Sequence, residues 1–219
     1  MTARGLIFHV VNRAAKRARL FSDPNDYAAF EQLLAEAIGS FDVEVFAYCV
    51  MPTHWHLLLM PLEDGSLPRF MHWLTTTHAR RWQLAHNCEG LGAVYQGRFK
   101  SIPVGNDEHF LWVTRYVERN ALRANLVTRA EEWRWSSLWR RARLDTPWLA
   151  TWPVPVPSGW VEHVNRPQTD AELAGFRGAM QRNEPFGTAE WRQQIEGALK
   201  SRRSRPRGRP RRVALGGVL

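Results

Sequence analysis

The chain has 219 residues, enough for one domain with an extension, and its 44% hydrophobic content with 11 tryptophans excludes a wholly disordered protein. We expect a soluble cytoplasmic protein, because the sequence contains no long apolar run or secretory leader, and Cys49 and Cys88 do not indicate a disulfide scaffold. The net charge of +9 indicates a polyanionic partner, although residues 200–212 alone carry +8.

Apolar periodicity and turn residues predict strands that alternate with helices. Strands are predicted at 6–11, at 43–50, in the stretch that carries His54 and His56, and at 98–104. Helices are predicted from Ser22-Asp23-Pro24 to Gly39, and at 67–86, 108–124, 169–182 and 188–200. This order predicts an α+β fold, an antiparallel sheet with helices packed on it. We expect a domain over 1–150, a proline-rich connector with a helical extension over 151–200, and a disordered arginine-rich tail over 201–219. The irregular part of the connector is predicted at 145–168.

Two histidines two residues apart are the most informative feature of the sequence. They lie in the stretch Met51-Pro52-Thr53-His54-Trp55-His56-Leu57. Residues two apart on a strand project from the same face, so both imidazoles can converge on one divalent cation while Trp55 and Leu57 take the apolar face. The alternative is a half-buried strand that carries two histidines by chance, because two histidines alone seldom make a metal site.

The predicted 108–124 helix carries a second polar set. His109, Trp112, Tyr116, Asn120 and Arg123 recur at steps of three and four and so share one face. A phenol and an amide directed toward two imidazoles make a plausible site for phosphodiester cleavage, with Tyr116 as the nucleophile. A phenol with a pKa of about 10 also needs a nearby cation or base to attack at neutral pH. The alternative is that Tyr116 is an ordinary core or surface aromatic.

Four segments carry a resemblance to a known family. They are Met51-Pro52-Thr53-His54-Trp55-His56-Leu57, Tyr116-Val117-Glu118-Arg119-Asn120-Ala121-Leu122-Arg123-Ala124, His9-Val10-Val11-Asn12-Arg13 and Gln96-Gly97-Arg98-Phe99-Lys100. Together they resemble the single-tyrosine transposases of the HUH endonuclease superfamily over roughly residues 4–150. The tryptophan-rich stretch after the tyrosine helix and the arginine-proline tail are most similar to the REP-associated tyrosine transposases. Ala121-Leu122, where that family commonly has Pro-Val, and the bulky Trp55 are departures that remove no catalytic group.

The resemblance implies a ferredoxin-like sheet and a metal-dependent endonuclease and strand transferase. Its substrate would be single-stranded DNA hairpins of the REP type, cut through a 5′-phosphotyrosine at Tyr116. It also implies that His54, His56 and Asn120 hold one cation, and an amide oxygen beside two imidazoles suits Mg²⁺ or Mn²⁺ better than a structural Zn²⁺. We expect no nucleotide cofactor, no membrane partner, and a monomer or a homodimer.

The expected DNA contacts are basic residues after the first strand, on the fourth strand, on the tyrosine helix and in the tail. They are Arg13, Arg98, Lys100, Arg115, Arg119, Arg123, Arg207 and Arg209. For Arg98 and Lys100, a solvated strand face is an equally good interpretation. Two other functions stay open: a catalytically silent protein that binds DNA hairpins, and a phosphodiesterase that uses water and leaves no protein–DNA adduct.

Overall fold

The computed structural model describes residues 4–105, 107–143 and 146–203 of the chain. The described residues form strands β1 (Ile7–Arg13), β2 (Val43–Met51), β3 (His54–Pro61) and β4 (Lys100–Val104), and helices α1 (Pro24–Ser40), α2 (Ser66–Ala85), α3 (Asp107–Glu118), α4 (Asn120–Arg123), α5 (Ser137–Arg143), α6 (Trp160–Asn165), α7 (Asp170–Arg182) and α8 (Ala189–Arg203). Short 3₁₀ helices cover Ala15–Arg17 and Ala130–Glu132. Within these ranges, no helix is both long enough and apolar enough to cross a membrane.

The four strands form one antiparallel sheet in the order β2-β3-β1-β4. Strands β2 and β3 form a hairpin whose last pair is Met51 opposite His54, so the two-residue connection is Pro52-Thr53. With α1 between β1 and β2 and α2 between β3 and β4, this is a ferredoxin-like topology. The predicted α+β fold is therefore confirmed.

The alternation of side chains along β3 divides the core into two layers. Trp55, Leu57 and Leu59 pack on the face covered by α1 and α2. Leu58 belongs to the opposite layer, which is built from α3, α4, α6 and α7, and His56 points the same way because it is two residues from Leu58. The histidine pair therefore faces the helix layer that carries Tyr116.

Local sequence explains the start of α1 and a break in the tyrosine helix. Asp23 accepts from the backbone N–H groups of the first turn and forms a capping box with Asp26, as expected for Asp before Pro. The predicted single helix over 108–124 is wrong: it is interrupted at Arg119, whose ψ is −3°, which separates α3 from α4. The hydrogen bond from the Arg123 N–H to the Arg119 carbonyl, 2.9 Å, keeps the helical direction across the break. The fourth strand begins two residues later than predicted, because pairing with β1 starts at Lys100.

The C-terminal extension packs against the sheet rather than apart from it. The predicted irregular connector contains α6, which follows Gly159 in a left-handed conformation (φ 68°). Trp152, Trp160 and Phe176 join the apolar layer of α3 and β4. Helix α8 runs three residues into the segment predicted to be disordered, and residues 204–219 lie outside the described part of the chain.

Candidate active site

The two histidines of β3, His54 and His56, lie side by side, and each forms a hydrogen bond through Nδ1. Their ring centroids are 5.0 Å apart. Nδ1 of His56 shares a hydrogen bond of 2.9 Å with Nε2 of His9 on β1, and Nδ1 of His54 shares one of 3.0 Å with Oγ1 of Thr53. Partners on Nδ1 fix the ring orientation and tautomer of a metal-binding histidine, and they leave its Nε2 for a cation.

Burial keeps these imidazoles neutral. Burial lowers the pKa of His54 to about 4, with a further contribution from the Arg13 and Arg123 charges. Burial, followed by its neighbours His54 and His9, holds the pKa of His56 well below its usual value, and the pKa of His9 falls to about 3. Neutral imidazole is the form that binds a metal ion, so at neutral pH the pair is in the protonation state that a cation requires.

Tyr116 lies against the histidines on the next layer. Its ring centroid is 5.9 Å from that of His56 and 6.0 Å from that of His9, both in edge-on contact. Phe176 of α7 packs on the same ring at 4.6 Å, and only 8% of Tyr116 is exposed. The structure thus brings the phenol and the strand histidines together, and it covers the phenol with the extension.

Arg123 provides the cation next to this phenol. Its Cζ lies 4.1 Å from the Tyr116 ring centroid, a cation–π contact. Its Nη2 donates to Oδ1 of Asn120 at 2.5 Å, while its buried Nη1 finds no hydrogen-bond partner among the described residues. A buried guanidinium donor without an acceptor is costly, so this N–H is suited to an anionic ligand such as a phosphate.

Asn120 is buried one turn after Tyr116, and its amide is already used. Its Oδ1 accepts from Arg123, and its Nδ2 donates to the Tyr116 carbonyl at 3.3 Å. The described residues contain no group of three or more His, Cys, Asp and Glu side chains that could hold a metal ion. Two neutral imidazoles and an amide oxygen would suit Mg²⁺ or Mn²⁺, but the amide oxygen could join them only if it were released from Arg123.

Tyr116, His9 and His56 open into one cavity of about 610 Å³, here called the tyrosine cavity. The other lining residues are Val11, Asn12, Arg13, Gln96, Gly97, Arg98, Lys100, Arg177, Met180 and Gln181. Four of these are cations, and none is an Asp or Glu. Low-dielectric walls that carry one sign of charge attract a polyanion. The structure places Arg13, Arg98 and Lys100, three of the expected DNA contacts, in this cavity with Tyr116.

Two arginines of the predicted DNA-binding set point elsewhere. Arg115 donates to the carbonyls of Arg166 and Pro167 at 2.7 and 3.2 Å, and Arg119 donates to those of Val164 and Asn165. These carbonyls lie at and just beyond the C-terminal end of α6, where helix acceptors lack intrahelical partners. Arg115 and Arg119 therefore tie the extension to α3. The predicted contacts Arg207 and Arg209 lie outside the described residues.

Sequence reasoning missed the contribution of α7 to this site. Arg177, Met180 and Gln181 line the tyrosine cavity, and the Sδ of Met180 lies 3.2 Å from Nδ1 of His9. The sequence does not single out His9, because one histidine on an apolar strand has no ligand spacing. The amphipathic pattern of α7 shows that one face is buried, but it does not show against what.

Comparisons with known proteins identify one matching family and two similar solved structures. The model of the family described as "Transposase IS200 like" matches residues 2–120, more than half of the chain. A solved REP-associated tyrosine transposase bound to a REP hairpin superposes with a TM-score of 0.54 at 18% identity, over 71% of this chain and 91% of that one. A putative transposase from Deinococcus radiodurans has 21% identity and a TM-score of 0.41, over 54% of this chain and 95% of that one. No curated protein matches the chain.

Proposed function

Because this chain belongs to the IS200-like transposase family, we propose that it cuts and rejoins single-stranded DNA hairpins through a covalent tyrosine link. The observation that carries the proposal is the contact of Tyr116 with both Arg123 and His56, in a cavity lined by cations and free of carboxylates. The solved protein with the same fold is bound to a REP hairpin, and a hairpin of that class is the substrate we propose here.

In the proposed reaction, Tyr116 Oη attacks the scissile phosphorus. The new bond joins the phenol oxygen to phosphorus, the bond from phosphorus to the 3′ oxygen breaks, and the phenol proton passes to water while the 3′ oxygen takes up a proton. The products are a 5′-phosphotyrosine and a free 3′-hydroxyl. Attack of a 3′-hydroxyl on the phosphotyrosine reverses these steps and rejoins DNA, so the cycle consumes no nucleotide.

The residues around Tyr116 supply charge and position. A Mg²⁺ or Mn²⁺ ion held by His54, His56 and Asn120 would polarise the phosphate when bound. Arg123 stabilises a phenolate through its charge, and its unpartnered Nη1 can donate to a phosphate oxygen. Arg13, Arg98 and Lys100 would hold neighbouring phosphates, and Arg207 and Arg209 of the tail would add contacts that do not place the reactive phosphate.

A second candidate function is hairpin binding without chemistry. The observation that favours it is the covered state of the nucleophile: Tyr116 is 8% exposed beneath Phe176, and the Asn120 oxygen is bonded to Arg123. Cleavage requires both contacts to open when DNA binds, whereas binding alone does not require it.

Product analysis separates these functions. Purified protein is incubated with single-stranded hairpin oligonucleotides and Mn²⁺, and the mixture is run on a denaturing gel. A band that carries both protein and DNA, absent with EDTA, supports the tyrosine transferase. Cleaved DNA without that band indicates a phosphodiesterase that uses water, and bound but intact DNA indicates the silent binding protein.

A further inference from the structure

A second groove leads away from the tyrosine cavity. It has a volume of about 950 Å³ and lies between α2 and the segment that covers residues 92–101. It shares Asn12, Gly97 and Arg98 with the tyrosine cavity, so the two spaces adjoin at these residues. We call it the α2 groove. At one end, Gln83 Nε2 donates to the Gly92 carbonyl at 2.9 Å, which bridges α2 and the segment opposite.

The charge of the α2 groove is as one-sided as that of the tyrosine cavity. Its lining includes Arg80 and Arg98 and no Asp or Glu. Two other cavities of the protein are lined by carboxylates, one by Glu108 and Glu172 and one by Glu162. The absence of acids is therefore confined, among these four cavities, to the two that meet at Arg98.

Two neighbouring arginines of α2 differ in whether a carboxylate neutralises their charge. Arg81 is bonded to Glu36 on α1 by two hydrogen bonds of 3.0 and 3.2 Å. Arg80 is exposed, faces the groove, and has no ion-pair partner among the described residues. Phe99, half buried, adds an aromatic ring to the wall. Unpaired cations beside an aromatic ring are the features that bind single-stranded nucleic acid.

We infer that the α2 groove holds the single-stranded segment that adjoins the scissile phosphate, an inference that rests on the proposed function. A strand with one phosphate at Tyr116 continues on both sides of it, and only one side runs into the hairpin stem. The other side meets Arg98 and can follow the groove toward Arg80. Unpaired bases of a single strand can stack on the ring of Phe99, whereas the bases of a duplex are already paired and stacked.

The test compares two arginines that differ by one position on the same helix. The probe is a stem-loop DNA with an oligo(dT) flank on its 5′ side, on its 3′ side, or on neither. Affinity is measured by fluorescence anisotropy in EDTA over a range of salt, with full-length wild-type protein, Arg80→Ala, Arg80→Lys and the control Arg81→Ala. We expect one of the two flanks to tighten wild-type binding. Arg80→Ala should lower the salt slope of that flanked probe by about 0.7, the value for one lost single-strand phosphate contact.

Arg80→Lys and Arg81→Ala should keep the wild-type slope, and no variant should change binding of the bare stem-loop. The inference is overturned if neither flank tightens wild-type binding, or if a double-stranded flank tightens it as much as a single-stranded one. It is also overturned if Arg80→Ala and Arg81→Ala have the same salt slope on the flanked probe, or if Arg80→Ala weakens binding of the bare stem-loop as much as that of the flanked probe. Failure of the proposed function has a different signature. It is the absence of a protein–DNA adduct with Mn²⁺, whatever the salt slopes are.

Discussion

Replacing Arg123 by glutamine removes the one cation that the structure places against the ring of Tyr116 among the described residues. The guanidinium carbon lies 4.1 Å from the ring centroid, and Nη2 is bonded to Asn120. Glutamine removes the charge, and its terminal nitrogen lies two bonds nearer the backbone than Nη2 of arginine, so the hydrogen bond to Asn120 is lost as well. The change therefore tests whether the guanidinium of Arg123 serves the reaction.

The expected effect on cleavage follows from this distance. Two unit charges about 4 Å apart interact by about 4 kcal/mol at an effective dielectric constant of about 20. That value is an upper limit here, because Arg123 is partly exposed and the developing charge is shared between the phenol and the phosphate. Loss of one donor that stabilises transition-state charge costs about 10²- to 10³-fold in rate. We expect Arg123→Gln to slow single-turnover cleavage about 100-fold.

The assay is the rate of adduct formation at saturating DNA and Mn²⁺, with metal affinity measured separately by calorimetry. Metal affinity should stay the same or rise, because the Asn120 oxygen loses its competing donor. Arg119→Gln is the matched control, because it makes the same charge change one helical turn away. The Arg119 guanidinium contacts carbonyls of the extension, so this variant should lower the melting temperature and leave the cleavage rate unchanged. A wild-type rate in Arg123→Gln, or an equal loss in both variants, would refute the reasoning.

Three further predictions concern the metal, acid stability and the tail. Alanine in place of His54 or His56 should lower the affinity for Mn²⁺, measured by calorimetry, and the cleavage rate together by about tenfold or more. Unchanged metal affinity in the double variant would place the metal site elsewhere. Burial lowers the pKa of His78 to about 3, so below pH 6.5 the unfolded chain binds a proton that the folded chain does not, and stability falls as the pH is lowered. His78→Gln should remove up to about 1.4 kcal/mol per pH unit of that fall in urea titrations between pH 6.5 and 4, and an unchanged slope would contradict the assignment. Truncation after Leu199 takes the formal charge from +9 to +1. It should weaken DNA binding and flatten its salt dependence, with little change in cleavage rate at saturating DNA. An identical slope of log affinity against log salt would exclude the tail as a DNA contact.

Local patterns in the sequence are sufficient to predict the sheet and the orientation of its histidines. Alternation along β3 fixes which residues share a face, and this is why Trp55 and Leu57 lie in one layer while His56 lies in the other. Helical spacing likewise places Asn120 one turn after Tyr116. These are relations between neighbours in the chain, and a period of two or of 3.6 determines them.

Contacts between distant segments could not be predicted in the same way. The hydrogen bond between His9 and His56 depends on the register of β1 against β3, and the contact between Tyr116 and Phe176 joins α3 to a helix of the extension. Arg115 has the spacing of a residue near the tyrosine, but the carbonyls that it reaches belong to a helix end that the sequence pattern did not predict. Spacing tells which face a side chain occupies and leaves its partner undetermined.

The most direct test of the central claim identifies the residue that carries DNA after cleavage. The four tyrosines of the chain are distinguishable, since Tyr27, Tyr48 and Tyr95 lie buried in the layer of α1 and α2, and Tyr116 lies in the other. Trypsin cuts after Arg115 and Arg119, so Tyr116 is released in the tetrapeptide Tyr-Val-Glu-Arg. Mass spectrometry of the nuclease-trimmed adduct should find a 5′-nucleotide on that tetrapeptide, and no adduct should form with Tyr116→Phe. A nucleotide on any other residue, or an undiminished adduct with Tyr116→Phe, would contradict the account.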